Sequence, residues 1–345
     1  MQLKITSRNT KSFTLTMLIL FACILTFAQK KKGEPEEKPD AAKFRWEQSK
    51  LIPKLKKLAI TELTVNYKLT TTTKTVVQEK GSRAMAGARV TAYLETTDGD
   101  LTTEDFQGLT DHFYNYFQRK LKENGVDTVA WNTVVASDFY QKIGDDEEKA
   151  DDDSKKEGGG NKWIVSTAHK GKIVHAGQSG FAGGKGKRSV DFAKDLDCTA
   201  ASFKVNVDFA DVVVNLDLKT TDRKDLYDGW YYPATTAKTY KWAINPEFRV
   251  GDQDNKQWTM IWASKGWPEF LFQWNDIPSP GAYAESVTED VSKARSGLAK
   301  QFAFAKELTP VLIQTTRDKY KEAATHAIEK WVDAWIARTV QMRKD

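Results

Sequence analysis

Apolar and polar residues alternate in several stretches of the chain, and this alternation predicts β-strands. In residues 58–69, first Leu58 and Ile60 and then Leu63 and Val65 occupy the alternate apolar positions. The Thr-rich run that follows favours β-structure and extends this predicted strand. Further strands are predicted at residues 90–94, 126–131, 163–168, 172–176, 203–209 and 212–218. The last two are separated by a phase shift, which indicates either two strands at a tight bend or one bulged strand.

Helical spacing of apolar residues predicts the helices. Residues 102–124 carry one apolar stripe, a near capping box formed by Thr102 and Asp105, and a terminating Gly125. Shorter helices are predicted at 132–142 and 189–199. Two long helices are predicted to close the chain, at residues 282–307 and 316–341. The second has the clearest stripe, composed of Tyr320, Ala324, Ala327, Ile328, Trp331 and Trp335.

The order of these elements predicts an α/β (α+β) fold. A mixed sheet with flanking helices should be followed by a Trp-rich β segment and the two long C-terminal helices. The predicted organisation is a signal peptide at 1–28, a disordered tether at 29–43, an α/β domain at 44–219 with a flexible loop at 145–160, and Trp-rich hairpins plus helices at 220–345.

The N-terminus has the order of a secretory signal. Three positive charges and no negative charge precede an apolar run from Leu15 to Ala28. The run is about 14 residues long, which is shorter than the ~20 residues of a membrane-spanning helix. Thr26 and Ala28 supply the small residues of a cleavage site before Gln29. The expected location is the periplasm or outer-membrane periphery of a Gram-negative bacterium, or the extracellular medium.

Cys23 raises a second interpretation of the N-terminus. Leu20 to Cys23 resembles the lipobox of bacterial lipoproteins, in which the cysteine becomes the acylated first residue. A polar tether normally follows that cysteine, whereas Ile24 to Ala28 continues the apolar run. We therefore expect cleavage after Ala28 and no lipid on Cys23. Cys198 is then the one cysteine of the mature chain, which excludes an intramolecular disulfide.

The charge of the mature chain is nearly balanced. Removal of residues 1–28 lowers the formal net charge from +5 to +2. Such a surface gives no electrostatic reason to expect a nucleic acid as partner. The acidic run within residues 145–160 ends in three glycines and predicts a solvated loop. It lacks the fixed Gly and Glu positions of an EF-hand calcium loop.

No motif in the sequence identifies a reaction. The Gly-rich segment 174–190 has Phe181 where a phosphate-binding loop needs glycine, and Ser189 where a dinucleotide fingerprint needs one. The four histidines do not pair at metal-ligand spacing. We therefore expect no catalytic, cofactor-binding or metal-binding residues, no cofactor, and a protein that is not an enzyme.

An unusual concentration of aromatic residues occupies Gln257 to Asn275. Alternation places Trp258 and Trp262 on one face of a strand, and Phe272 and Trp274 on one face of the next. One interpretation is a hairpin whose aromatic face packs on the C-terminal helices, which is favoured because aromatic rings contribute most when buried. The other is an exposed surface that binds a glycan or a protein. Its candidate residues are Trp258, Trp262, Trp267 and Trp274.

Residues 57–219 resemble a known family in the order of their elements. Strand, loop, capped helix, "ENGVDTVAW", helix and then "VDFAKDLDCTAASFKVNVDFADVVVNLDL" resemble the periplasmic α/β domain of the curli-secretion (CsgG-like) family and the N-terminal domain of TolB. The matching segments are Lys57–Ile60, Phe106–Leu121, Val126–Trp131 and Phe192–Val207. The chain departs from the family in lacking a convincing lipobox, in an insertion at 70–101 and in its C-terminal third.

The resemblance implies an envelope role in binding, assembly or secretion, without enzyme activity. Pore-forming members insert amphipathic β-hairpins into the outer membrane, and residues 202–219 alternate in a similar way. Each half of that segment is about eight residues, however, and a spanning strand needs ~9–11. We therefore expect residues 202–219 to belong to the core sheet.

These observations lead to two functional hypotheses. The first is a non-enzymatic, exported cell-envelope protein whose partner is another envelope protein or further copies of itself. The alternative is a secreted carbohydrate-binding or carbohydrate-active protein that uses the aromatic cluster at 258–274 and has a glycan as partner. Neither hypothesis requires a transmembrane helix in the mature chain.

Overall fold

The alternating segments form two mixed sheets and a long hairpin in the computed structural model. The structure describes residues 39–78, 85–143, 163–173, 186–227, 230–251, 259–289 and 305–344. These residues belong to one unit, Pro39–Asp345. The predicted signal peptide, the predicted loop at 145–160 and Trp258 lie outside the described residues. The last residues of the predicted tether do not fit that prediction, because Ala41–Lys43 forms a turn of 3-10 helix in which Ala41 is buried.

Nine strands make up the central sheet. They are β1 (Phe44–Arg45), β2 (Lys57–Lys68), β5 (Asp127–Thr128), β6 (Trp163–Thr167), β7 (Thr199–Asp208), β10 (Phe248–Gly251), β11 (Thr259–Trp262), β12 (Glu269–Gln273) and β13 (Ile277–Ser279). The second sheet has five: β3 (Thr70–Gln78), β4 (Met85–Thr96), β14 (Ser286–Glu289), β15 (Ala305–Glu307) and β16 (Val311–Thr315). The hairpin joins β8 (Asp211–Tyr227) to β9 (Trp230–Asn245).

Five α-helices accompany the strands in the described part of the chain. They are α1 (Thr103–Glu123), α2 (Trp131–Ala136), α3 (Asp138–Gln141), α4 (Gly186–Asp195) and α5 (Arg317–Lys344). The predicted helix at 132–142 is divided by Ser137, whose hydroxyl accepts a hydrogen bond from the Tyr140 amide and caps α3. The helix predicted at 189–199 is observed as α4, which starts at Gly186 and ends at Asp195. It ends earlier than predicted because Thr199 already begins β7.

The central sheet is built around the parallel pair β2 and β7. β2 pairs antiparallel with β6, while the other edge of β7 pairs antiparallel with β11 and then β10. β12 and β1 continue the sheet beyond β11, and β13 continues it beyond β10. Because parallel and antiparallel pairs occur in one sheet with helices packed on it, the fold class is α+β, as predicted.

A bulge in β2 explains the phase shift in its sequence. The pairing of β2 with β7 shifts register between Ile60 and Glu62, so Thr61 is an extra residue. Its hydroxyl donates a hydrogen bond to the Ala201 carbonyl at 2.9 Å. Ile60 before the bulge and Leu63 after it therefore point into the same core.

Helices α1 and α5 cover this apolar face of the central sheet. The predicted capping box of α1 is confirmed, and Gly125 follows the helix with φ +71°. Asp105 also receives a hydrogen bond from Arg317, at the start of α5, at 2.7 Å. Burial would raise the pKa of Asp105, but hydrogen bonds from Thr102 and Arg317 outweigh it and lower the pKa to about 2.

The long helix predicted at 316–341 is confirmed as α5, and all six residues of its stripe are buried. The helix predicted at 282–307 is wrong in its described part, which contains β14 and β15. β14 pairs antiparallel with β16, so the sheet satisfies the backbone there and overrides the local helical spacing. The apolar stripe of α5 packs against α1 and against Phe44 and Trp46, which lie near the start of the described chain.

The chain leaves the central sheet at two matched bends. β2 ends before Leu69, and the Thr run then forms a new strand, β3, and does not extend β2. β7 passes into β8 at residues 209–210, which confirms the interpretation of two strands at a tight bend for that segment. Hydroxyls of Thr73 and Thr75 donate to the carbonyls of Val212 and Val214, which joins β3 to β8. β7 has 10 residues and β8 has 17, so the length argument for residues 202–219 is wrong for both halves of that segment. β7 belongs to the central sheet as expected, but β8 pairs with β9 in the separate hairpin, so the expectation that residues 202–219 belong to the core sheet is wrong for the second half.

The domain boundary predicted between residues 219 and 220 lies inside β8. Strands β10–β13, all from the predicted C-terminal region, pair within the same sheet as β7. The two predicted regions therefore share one sheet and one apolar core. The resemblance covers residues 57–219 only, so it could not indicate that later strands join the same sheet. Those later strands are also short and rich in aromatic residues, so their own sequence gives little sign of the pairing.

Gly171 directly precedes the strand predicted at residues 172–176, but the described residues 171–173 form no strand. The preceding His169 and Lys170 have φ values of 53° and 54° and turn the chain. Gly171 itself has φ −75°, which other residues adopt readily. A Cβ atom there would lie 2.7 Å from the Trp131 ring and 2.8 Å from the Tyr140 hydroxyl.

We expect Gly171→Ala to lower the free energy of unfolding by ~1–3 kcal/mol, because the methyl group overpacks this contact. Urea denaturation measures the effect. Gly108→Ala is the matched control, since no atom lies within 4 Å of a Cβ there and the residue is in α1. That substitution should stabilise the protein by up to ~1 kcal/mol. Equal stability of Gly171→Ala and the native protein would contradict the contact.

Candidate binding surface

The central sheet has a second face, opposite α1 and α5. Because side chains alternate along a strand, the neighbours of Leu63 and Val205, which belong to the core, point to this second face. Its residues on β2 and β7, here called the polar face, are Glu62, Thr64, Asn66, Lys68, Ser202, Lys204, Asn206 and Asp208. Farther along the sheet, β11 and β12 add aromatic residues to the same side.

Trp262 does not reach a surface. It is 1% exposed and packs with Phe139 and Phe192, on α3 and α4, in a second apolar cluster. Its indole Nε1 donates a hydrogen bond to the Ser189 carbonyl at 3.0 Å. The prediction that this strand's aromatic face packs on the long C-terminal helices is therefore wrong, because α5 covers the other face of the sheet and the other predicted helix is not formed in its described part.

Trp267 and Trp274 are exposed, but they lie at opposite ends of β12. Trp267 follows the turn at Gly266 and is 81% exposed, whereas Trp274 directly follows the strand and is 60% exposed. Phe272, two residues before Trp274, is 58% exposed. Of the four predicted tryptophans, the structure thus places Trp274 beside another exposed ring.

Arg45 completes this exposed group. It lies directly opposite Phe272 in the β1–β12 pairing, and its guanidinium carbon is 3.6 Å from the centroid of the Trp274 ring. The Trp274 amide donates to the Lys43 carbonyl at 2.7 Å, which fixes the end of β12 against β1. We call Arg45, Phe272 and Trp274 the aromatic edge.

Local sequence explains why Arg45 points outward. Phe44 and Trp46 on either side of it are buried against α5, in contact with Trp331 and Trp335. Alternation along the strand then directs Arg45 to the opposite side. The alternation of "FRW" was the available signal, but it could not indicate which ring Arg45 would meet.

The aromatic edge borders a groove of about 570 Å³. The lining residues are Arg45–Ser49 and Glu269–Trp274. The Glu269 carboxylate accepts hydrogen bonds from the Ser49 hydroxyl at 2.5 Å and the Lys50 amide at 2.8 Å. These bonds hold the turn after β1 against β12, so the two walls of the groove are fixed relative to each other.

The charged side chains that line the groove differ in whether an opposite charge or a hydrogen-bond donor lies beside them. Glu47 forms an ion pair with Arg338 at 3.2 Å, and Glu269 is engaged by the turn after β1. Within the described ranges, no carboxylate lies within 4.0 Å of the Arg45 guanidinium. In the part of the chain that the structure describes, the positive charge of Arg45 therefore has no carboxylate beside it and lies next to two exposed rings.

The polar face is a buried network. Glu62 is 1% exposed, its carboxylate accepts hydrogen bonds from the Thr64 and Ser202 hydroxyls, and Lys204 Nζ lies 3.9 Å away. Alternation in residues 203–209 indicates that Lys204 and its neighbours share a face. The sequence of β7 alone cannot indicate, however, that β2 pairs with it and places polar residues beside those of β7.

The polar face continues toward the bend between the sheets. The Asn66 amide donates to the Asn206 side-chain oxygen at 3.0 Å, and the Lys68 ammonium lies 3.2 Å from the Asp208 carboxylate. Asp208 also accepts a hydrogen bond from Thr71 on β3. This end of the network therefore ties the central sheet to the second sheet.

A cleft of about 670 Å³ lies between α2–α3 and α4. Asp138, Asp191 and Asp195 contribute to its lining. No set of three or more His, Cys, Asp or Glu residues in the described part of the chain is placed to hold a metal ion.

Burial raises the pKa of the Cys198 thiol to about 11, so this cysteine is protonated at neutral pH.

Comparison with known proteins gives no relative. No protein-family model, no curated protein and no solved structure matches this chain.

Proposed function

We propose that this protein is an exported, non-enzymatic binding protein of the cell envelope that binds its partner through the aromatic edge. The observation that carries the proposal is the exposure of Phe272 and Trp274 beside Arg45. Exposing apolar rings to water is unfavourable, and covering them releases that free energy. Trp and Arg are also the residue types enriched where binding energy concentrates.

Two features support an envelope location. Residues 1–28 have the pattern of a secretory signal, and residues 57–219 resemble the curli-secretion domain in the order of their elements. In the structure, β2, α1, β5 and β7 follow that order along the chain.

None of the helices in the described ranges combines the length and apolar character needed to cross a membrane.

The geometry of the groove favours binding over catalysis. Glycoside hydrolysis uses two carboxyl groups that flank the scissile bond. The carboxylates that line the groove are Glu47, which pairs with Arg338, and Glu269, which accepts hydrogen bonds from the turn after β1. Both therefore have structural partners, and Arg45 is left to meet a ligand.

The test is co-sedimentation of the mature chain, residues 29–345, with cell envelopes isolated from the producing bacterium. We expect the native protein to sediment with the envelopes. The double variant Phe272→Ala, Trp274→Ala should bind at least about 10-fold more weakly, because truncating hot-spot residues costs more than ~1–2 kcal/mol each.

Trp267→Ala is the matched control, because it removes an exposed tryptophan at the other end of β12. Its binding should equal that of the native protein, and the melting temperature of the double variant should stay near the native value. Native retention of the double variant, or no sedimentation of the native protein, would overturn the proposal.

A further inference from the structure

We infer that the aromatic edge binds an acidic polysaccharide, with Arg45 pairing with the carboxylate of a uronic acid and with Phe272 and Trp274 contacting the sugar rings. This inference rests on the proposed function and names the ligand class of the same surface. It follows from the dimensions, charge and rigidity of the groove.

The groove has the dimensions of a small-ligand site. Its volume of about 570 Å³ lies within the ~300–1,000 Å³ range of ligand pockets. It is lined on one side by the rings of β12 and on the other by the polar side chains of Glu47, Gln48 and Ser49. A segment one or two sugar units long fits this space, with apolar C–H groups toward the rings and hydroxyls toward the polar wall.

The positive charge selects for an acidic ligand. The Arg45 guanidinium carbon lies over the Trp274 ring at 3.6 Å from its centroid, and the guanidinium N–H groups lie in the plane of the group. Stacking therefore leaves those donors available to a carboxylate, which the planar fork binds through two parallel hydrogen bonds. Because no carboxylate of the described residues compensates Arg45, an acidic ligand supplies the missing charge.

The spacing of the rings favours a chain of similar units. Trp274 directly follows β12, two residues after Phe272, and two residues of extended chain span roughly 6.6 Å. Successive rings of a linear polysaccharide present repeated C–H faces along such a row. A peptide would have to order several flexible side chains to offer the same surface, at a cost of ~0.5–1.5 kcal/mol each.

The arrangement is also preorganised. β1 is held by pairing with β12, and the turn after β1 is held by Glu269. Arg45 is restrained by its contact with Trp274, so little side-chain entropy remains to be lost when a carboxylate binds. The site therefore needs no rearrangement of the backbone to accept a ligand.

The test is a titration of the mature chain, residues 29–345, with oligogalacturonate, followed by calorimetry and by tryptophan fluorescence. We expect binding that weakens with added salt, because the Arg45–carboxylate pair is near the surface. A neutral oligomer of glucose should bind about 10-fold more weakly or not at all, since it lacks the charge that Arg45 recognises.

Variants of Arg45 test whether this residue recognises the carboxylate of the ligand. Arg45→Ala should weaken oligogalacturonate binding by about 10-fold or more, and Arg45→Lys should restore part of the loss because it keeps the charge but not the planar fork. Lys43→Ala is the matched control, since Lys43 is a neighbouring cation that already pairs with Asp40 at 3.7 Å. It should bind as the native protein does.

The failures of the inference and of the proposed function are distinguishable. Equal binding of the neutral and acidic oligomers would overturn the acidic specificity. Absence of glycan binding, with envelope retention still dependent on Phe272 and Trp274, would overturn the inference and leave the proposed function intact. Arg45-dependent binding of polyglutamate without binding of oligogalacturonate would likewise overturn it, in favour of an acidic protein partner.

Discussion

Trp331→Ala should destabilise the protein more than any other single truncation in α5. The side chain is 2% exposed and contacts Phe44, Phe113 and Phe203. Its indole Nε1 also donates to the Gln273 side-chain oxygen at 2.8 Å, which links α5 to the central sheet. Truncation removes these contacts and leaves a cavity, at a cost of ~3–5 kcal/mol from a total stability of ~5–15 kcal/mol.

Thermal unfolding followed by circular dichroism measures this loss, and Trp267→Ala is its control. Because Trp267 is 81% exposed, its truncation should change stability by no more than ~0.5 kcal/mol. If Trp331→Ala melted like the native protein but no longer bound its partner or assembled, α5 would present an interface and the packing described here would be wrong.

The stripe of α5 could be predicted because it depends only on helical period. Tyr320, Ala324, Ile328 and Trp331 recur at steps of three and four, and a helix places them on one side whatever covers them. What covers them could not be predicted in the same way. Phe44 and Trp46 pack there through long-range contacts, and no local pattern indicates such a pairing.

The segment before α5 shows the opposite outcome. Residues 286–289 have spacing compatible with a helix, yet they form β14 because β16 offers backbone partners. Val287 and Thr288 are β-branched and fit a strand, but the surrounding Ala and Ser residues concealed that signal. Strand formation here depends on a neighbour that is distant in the sequence.

The aromatic cluster divides for a similar reason. Alternation indicates correctly that Phe270 and Phe272 share a face, but not which part of that face is covered. Helices α3 and α4 cover Trp262, while Phe272 and Trp274 lie beyond them near the edge strand β1. Arg45 joins the site through strand pairing, so the sequence around the tryptophans contains no sign of it.

The polar face supplies the second large expected effect. Glu62→Leu should lower the free energy of unfolding by ~3–5 kcal/mol, because it removes one partner of a buried charged pair. Leucine has a similar size, so the loss reports the carboxylate and not a cavity. Thr64 and Ser202 lose the acceptor of their hydroxyl groups, and Lys204 loses a carboxylate 3.9 Å from its Nζ.

Two further variants separate charge from hydrogen bonding, with urea denaturation as the measurement. Glu62→Gln keeps a side-chain acceptor and should lose less stability than Glu62→Leu. The double variant Glu62→Leu, Lys204→Leu removes both charges and should recover part of the loss, because replacing a whole buried pair by apolar residues is often nearly neutral. The Lys204 side chain is 18% exposed, so its ammonium can partly reach water and the loss should lie near the lower end of the range. If the double variant lost at least the sum of the two single losses, Glu62 and Lys204 would not be coupled across β2 and β7, and the hydroxyl contacts alone would explain why a carboxylate is buried in this sheet.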